Sequence, residues 1–147
     1  MEKIKVLFVC IHNSARSQIA EALLNHIAGN QFEASSAGLE KGKLNPLAVK
    51  VMAEIGVDIS KNQTKDVFDF YKNGNLFNYV VTVCDAANSE RCPIFPSATK
   101  TLHWSFEDPS SFTGTEEEKL EKTRKVREEI RSELEKFISS VTSLLFS

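Results

Sequence analysis

Residues Val6 to Ser17 read VLFVCIHNSARS, and this stretch decides the fold. The segment Ile4 to Val9 is a short apolar run rich in β-branched residues that does not strictly alternate, the pattern of a strand buried on both faces of a parallel sheet. A polar loop, Ile11 to Ser14, follows. Apolar Ile19, Ala20, Leu23, Leu24 and Ile27 then recur at helical spacing until Gly29 interrupts them. Strand, loop and helix in immediate succession predict the first unit of an α/β fold. Its loop would lie at the carboxyl edge of the sheet, where open α/β sheets bind their ligands.

Working outward, Phe32 to Ser35 predicts a second short strand, with Ser36, Ala37 and Gly38 beginning a turn into the loop Leu39 to Leu44. A second helix is clearly punctuated: Asn45 as N-cap, Pro46 at the first helical position, apolar Leu47, Val51, Met52 and Ile55, then Gly56. Asp66 to Lys72 predicts a weaker helix. Tyr79 to Cys84 repeats the buried, β-branched signature of the first strand, and Thr99 to His103 supplies a fourth, ending in the loop Trp104 to Gly114. From Glu116 a long charged helix carries Val126, Ile130, Leu134, Phe137, Ile138 and Val141 as one apolar stripe, its charges forming a solvated face. No repeat, low-complexity segment or linker divides the chain. The expected architecture is therefore three-layer α/β, a four-stranded parallel sheet with helices on both faces, in one domain over residues 1–147.

Composition limits the classes of function. Hydrophobic residues make up 41% and charged residues 26% of 147, the balance of a globular protein with a single core. A net charge of -2 offers no bulk attraction to nucleic acid or to an anionic membrane, so any bound anion must be held locally. The apolar run Val6 to Cys10 is too short for a signal peptide, and no stretch is long and apolar enough to span a bilayer. Three cysteines in a chain without a leader suit a reducing cytoplasm, where thiols more often do chemistry or bind metal than staple a fold. Zinc is disfavoured, because neither C-x2-C nor H-x3-H spacing occurs.

Cys10 and Arg16 form a C-x5-R pattern in the loop between strand and helix. Backbone N-H groups of Ile11, His12, Asn13, Ser14, Ala15, Arg16 and Ser17, together with the positive end of the helix dipole, predict a site for a tetrahedral oxyanion. The same field favours a thiolate at Cys10, to which Ser17 can donate a hydrogen bond. Arg16 offers a planar fork that matches two oxyanion oxygens, as lysine would not. The competing explanation is a buried strand-end cysteine near a surface arginine. Its placement directly after a buried strand, opening an amphipathic helix and with polar N-cap candidates inside the loop, favours the catalytic one. A nucleophile that displaces oxygen from such an anion needs a proton for the leaving group. Asp108, beside Pro109, is the candidate donor, and the alternative is that it caps a turn. Trp104 and Phe106 are expected to be core or pocket wall, and none of His12, His26 and His103 is required as a catalyst.

VLFVCIHNSARS resembles the active-site loop of the low-molecular-weight protein tyrosine phosphatases, and in particular of their arsenate reductase branch. SAGLEKGKLNPLAVKVMAEIGVDIS, VVTVCDAANSERCPIFP and LHWSFEDPS resemble further stretches of those reductases in the same order, so the likeness covers nearly the whole chain. Its most specific element is the set of three cysteines. It implies the low-molecular-weight phosphatase-like fold and the reduction of arsenate to arsenite through a thiol relay, in arsenic detoxification. Cys10 would form an adduct with arsenic, a Cys10 to Cys84 disulfide would follow, and then a Cys84 to Cys92 disulfide for thioredoxin or another dithiol to reduce. Phosphate or sulfate would compete with arsenate. The likeness also places the general acid at Asp108. It implies no tightly bound cofactor but offers a potassium site at Asn13, Ser36, Thr64 and Asp66, against the simpler alternative that Asn13 and Ser36 hydrogen-bond each other. Two departures stand out: the Cys84 to Cys92 spacing is one residue longer than the family pattern, and Thr64 and Asp66 are shifted by one.

A helix over Asp85 to Arg91 would hold the Cα atoms of Cys84 and Cys92 roughly 12 Å apart, beyond the roughly 7 Å limit for a disulfide. That segment is therefore expected to unwind on oxidation. Two other functions fit parts of the sequence: a tyrosine phosphatase in which Cys84 and Cys92 are incidental, and a binding protein switched by their oxidation.

Overall fold

Four parallel strands make up the sheet of the computed structural model, which describes residues 2–40, 42–74, 76–83 and 98–146. These are β1 (Ile4–Cys10), β2 (Phe32–Gly38), β3 (Phe77–Thr82) and β4 (Ala98–His103), in the order β2-β1-β3-β4. Among the described residues the helices are α1 (Arg16–Ala28), α2 (Pro46–Ala53), α3 (Val67–Lys72) and α4 (Glu116–Phe146). The sheet and its order explain the unbroken apolar run at the start of the chain, because β1 is an inner strand covered on both sides. Val6 and Phe8 pack with residues of α1, α2 and α4, whereas Leu7 and Val9 pack with Val67 of α3 and with Val80. Helices thus lie on both faces, with most of them on one.

The differences from the expected boundaries have local causes. Ser36, Ala37 and Gly38 do not begin a turn; they continue β2 and pair with Phe8, Val9 and Cys10. Gly38 is small because another segment comes close: a Cβ there would stand 2.7 Å from the carbonyl oxygen of Ile11. Its N-H donates to the carbonyl of Lys65 at 2.8 Å. β3 begins earlier than expected, at Phe77, and ends at Thr82, although the N-H of Val83 still reaches the carbonyl of Val9 at 2.9 Å. Cys84 and Cys92, and the expected unwinding between them, lie outside the described residues. α2 carries the expected cap, Asn45 Oδ1 accepting from the N-H of Leu47 at 2.9 Å, but stops at Ala53. No polar side chain of the loop caps α1, whose N-cap is Ala15. Asn13 instead donates its Nδ2 to Ser17 Oγ at 2.7 Å. α4 starts with a reciprocal capping box, in which the N-H of Glu118 donates to Thr115 Oγ1 and the N-H of Thr115 to Glu118 Oε1.

The carboxyl end of α2 is tied to α4. Arg124 Nε donates to both carboxylate oxygens of Glu54 at 3.1 and 2.9 Å, while Arg127 Nη1 donates to Glu54 Oε1 and to the carbonyl of Val51 at 2.9 and 2.7 Å. The hydrogen bond from Arg124, supported by Arg127 and both guanidinium charges against some desolvation, holds the Glu54 carboxyl below its usual value of 4.5. A depressed carboxylate stabilises the fold above the unfolded-state value, and that contribution is lost as pH falls through the lower folded-state value. Glu54→Gln is therefore expected to cost about 1 kcal/mol at pH 7, near the top of the range for partly exposed pairs. For a chain of this size that is a drop in Tm of about 3 °C. Thermal melts should show the gap between variant and wild type narrowing below pH 4.5.

Candidate active site

Cys10 is the last residue of β1 and is 2% exposed. Its Sγ accepts a hydrogen bond from the N-H of Asn13 at 3.1 Å and lies 3.0 Å from Ser17 Oγ. Asn13 Nδ2 donates to that same Oγ at 2.7 Å, which leaves the Ser17 proton free to point at the sulfur. Two donors converge on one sulfur beside the N-terminus of α1, which begins at Arg16, an arrangement suited to a negatively charged group at this end of the loop. The backbone N-H of Asn13 can aim inward because this residue takes φ 55°, the left-handed conformation that asparagine tolerates better than most. Its side chain locks it there. Asn13 Oδ1 accepts from Gln18 Nε2 at 3.0 Å and from the N-H of Lys65 at 2.9 Å. Gln18, wholly buried, is in turn held by Asn62 Nδ2 at 3.1 Å.

Arg16 is no surface residue. It is 3% exposed, its Nη1 donates to the carbonyl of Phe106 at 3.1 Å, and its Nη2 lies 3.4 Å from Asp108 Oδ2. The two groups expected to act on an oxyanion thus meet, although 92 positions separate them in the chain. Asp108 does cap a turn as well: its Oδ1 accepts from the N-H of Ser110 at 2.9 Å, at the head of the 3₁₀ turn Pro109–Ser111. One carboxylate oxygen fixes the turn and the other faces the arginine. His12 is at the exposed mouth of the loop with Nε2 3.2 Å from Glu40 Oε1. Phe106 is buried, and Trp104 packs against the core, its ring 6.0 Å from that of Phe8.

The family model that matches residues 5–144 is described as low molecular weight phosphotyrosine protein phosphatase. The chain belongs to this family. Among relatives of this phosphatase family it is 44% identical over 139 residues to an arsenate reductase of Bacillus subtilis (strain 168), covering 93% of this chain and 96% of that one. A solved structure of an arsenate reductase in the phosphate binding state superposes with a TM-score of 0.76 at 29% identity, covering 93% of this chain and 98% of that one. A thioredoxin-dependent arsenate reductase from Corynebacterium glutamicum gives 0.69 at 30% identity, covering 95% of this chain and 62% of that one.

Of the oxygens named for potassium, Asn13 Oδ1 accepts from two N-H donors and Asp66 Oδ1 from the N-H of Phe68 at 2.7 Å. Thr64 Oγ1 donates to the carbonyl of Gly42 at 2.8 Å. Ser36 does not bond Asn13 either; its hydroxyl donates to Glu21 Oε1 at 2.9 Å, and Lys65 Nζ lies 3.7 Å from that oxygen. Among the described residues, no group of three or more His, Cys, Asp and Glu side chains is placed to hold a metal ion. Gln18, Glu21 and Lys65 escaped the sequence analysis. A glutamine at an inner helical position carries no local signal of its role. Asn45 was legible only as a helix cap.

Proposed function

We propose that this chain reduces arsenate to arsenite by a thiol relay that starts at Cys10. The observation that carries it is the Cys10 sulfur, facing the N-H of Asn13 and the hydroxyl of Ser17 in a loop closed by buried Arg16. The relationship to arsenate reductases over 93% of the chain supports the choice of substrate. In the first step the Cys10 thiolate attacks arsenic, a sulfur–arsenic bond forms, and one oxygen leaves as water with a proton from Asp108. The Arg16 fork and the loop N-H groups hold the remaining oxygens and the charge on them. The Cys84 thiolate then attacks the Cys10 sulfur. The sulfur–arsenic electron pair stays on arsenic, which is thereby reduced from As(V) to As(III) and departs as arsenite, and a Cys10 to Cys84 disulfide remains. Attack of Cys92 on Cys84 frees Cys10 and leaves a Cys84 to Cys92 disulfide for an external dithiol.

Thioredoxin is the donor to try first, because the Corynebacterium glutamicum relative is described as dependent on it. Phosphate, with the same shape and charge as arsenate, would compete for the loop and give weak hydrolysis of aryl phosphates. A relay of reduced thiols requires a reducing compartment, which argues for the cytoplasm. Among the described residues, no helix is long and apolar enough to cross a membrane. The test is a steady-state assay with arsenate, supplied with thioredoxin and its reductase or alternatively with glutathione and glutaredoxin. Arsenite produced in excess over protein, with inhibition by phosphate, is the expected result. Failure with both donors while aryl phosphate is hydrolysed would instead make the chain a phosphatase.

A further inference from the structure

Asn45 lies where three parts of the site meet. It is 9% exposed, and its backbone N-H donates to the carbonyl of Ser14 in the oxyanion loop at 2.9 Å. Its Oδ1 caps α2 through the N-H of Leu47, and its Nδ2 donates to Ser110 Oγ at 3.3 Å. Ser110 in turn donates its backbone N-H to Asp108 Oδ1 at 2.9 Å. A continuous path therefore runs from the oxyanion loop through one asparagine to the turn that carries the acid. We propose that Asn45 and Ser110 are positioning residues that keep Asp108 over the oxyanion loop during the reaction.

The need for such a link follows from what Arg16 does. Arg16 Nη2 faces Asp108 Oδ2 at 3.4 Å, so the arginine helps to hold the acid turn. Once an oxyanion enters the loop, the guanidinium fork turns its donors to that anion. A carboxyl group ready to give up a proton is moreover neutral and loses its ionic attraction to arginine. The anchor through Arg16 thus weakens when proton transfer requires it. The bond from Asn45 Nδ2 to Ser110 Oγ joins two uncharged side chains, neither of which belongs to the oxyanion loop, so it persists through the cycle. Misplacing an acid by a fraction of an ångström is enough to cost rate without changing binding.

The inference rests on the assignment of Asp108 as general acid, and aryl phosphates of graded leaving-group basicity test both. A good leaving group such as p-nitrophenolate needs little protonation, whereas phenolate needs much. Ser110→Ala removes the hydroxyl without touching the helix cap, and Asn45→Ser keeps a capping oxygen but is too short to reach Ser110. Both are expected to lower kcat on phenyl phosphate about fivefold to tenfold, a fraction of the full contribution of a general acid, and on p-nitrophenyl phosphate by about twofold or less. KM and Tm should stay near wild type for Ser110→Ala. Asp108→Asn sets the full effect of losing the acid. If Asp108→Asn shows the graded loss and the other two variants do not, or lose rate equally on both esters, the positioning role is overturned while the acid stands. If Asp108→Asn shows no graded loss, or the wild type hydrolyses neither ester, the assignment of Asp108 falls and the link falls with it.

Discussion

Cys10→Ser is expected to lose at least about 10⁴-fold in turnover of both arsenate and aryl phosphate, the scale seen when an enzyme loses its nucleophile. The N-H of Asn13 and the hydroxyl of Ser17 are both directed at the sulfur of residue 10. A serine hydroxyl is far less acidic and would remain protonated among the same donors, so it attacks poorly. Binding is a separate matter. Arg16 and the loop N-H groups are untouched by the substitution, so phosphate affinity measured by calorimetry should stay within about threefold of wild type. Residual turnover within tenfold of wild type would remove Cys10 from the reaction.

Cys84→Ser should separate the two activities that share the loop. Arsenate turnover is expected to fall to background, because arsenic cannot gain its two electrons until a second thiolate takes the Cys10 sulfur. Aryl phosphate hydrolysis should stay within about twofold of wild type, since water, not a thiol, releases the phosphoryl group from Cys10. A single cycle should leave one arsenic bound per protein, visible by mass spectrometry. Equal loss of both activities would mean that Cys84 supports the fold or the loop and is no electron donor. Retained arsenate turnover would exclude the relay.

Much of this was readable along the chain because it is encoded locally. An unbroken apolar run, a polar loop with C-x5-R and a helical apolar stripe, all between Ile4 and Gly29, specify strand, loop and helix whatever surrounds them. Asn45 and Pro46 announce the start of α2 by capping chemistry that involves neighbours in sequence. Other features have no local encoding. Ser36, Ala37 and Gly38 look like a turn, yet they are strand, because β1 offers Phe8, Val9 and Cys10 as partners and the oxyanion loop crosses over Gly38. The hydrogen-bond partners of Asn13, Ser36, Thr64 and Asp66 likewise come from packing between distant segments or from local turns that their residue types alone do not specify.

By itself the sequence determined an α/β fold with a thiol nucleophile and an arginine in an anion-binding loop, because strand burial, helix periodicity and the C-x5-R spacing act over a few residues. Only the tertiary structure decided which partners complete the site. It put Asp108 against Arg16, gave Asn13 its left-handed backbone through Gln18 and Lys65, and joined Asn45 to Ser110. The physical reason is directional: hydrogen bonds and ion pairs between distant segments depend on where the sheet brings their ends together, and pattern along the chain holds no record of that distance.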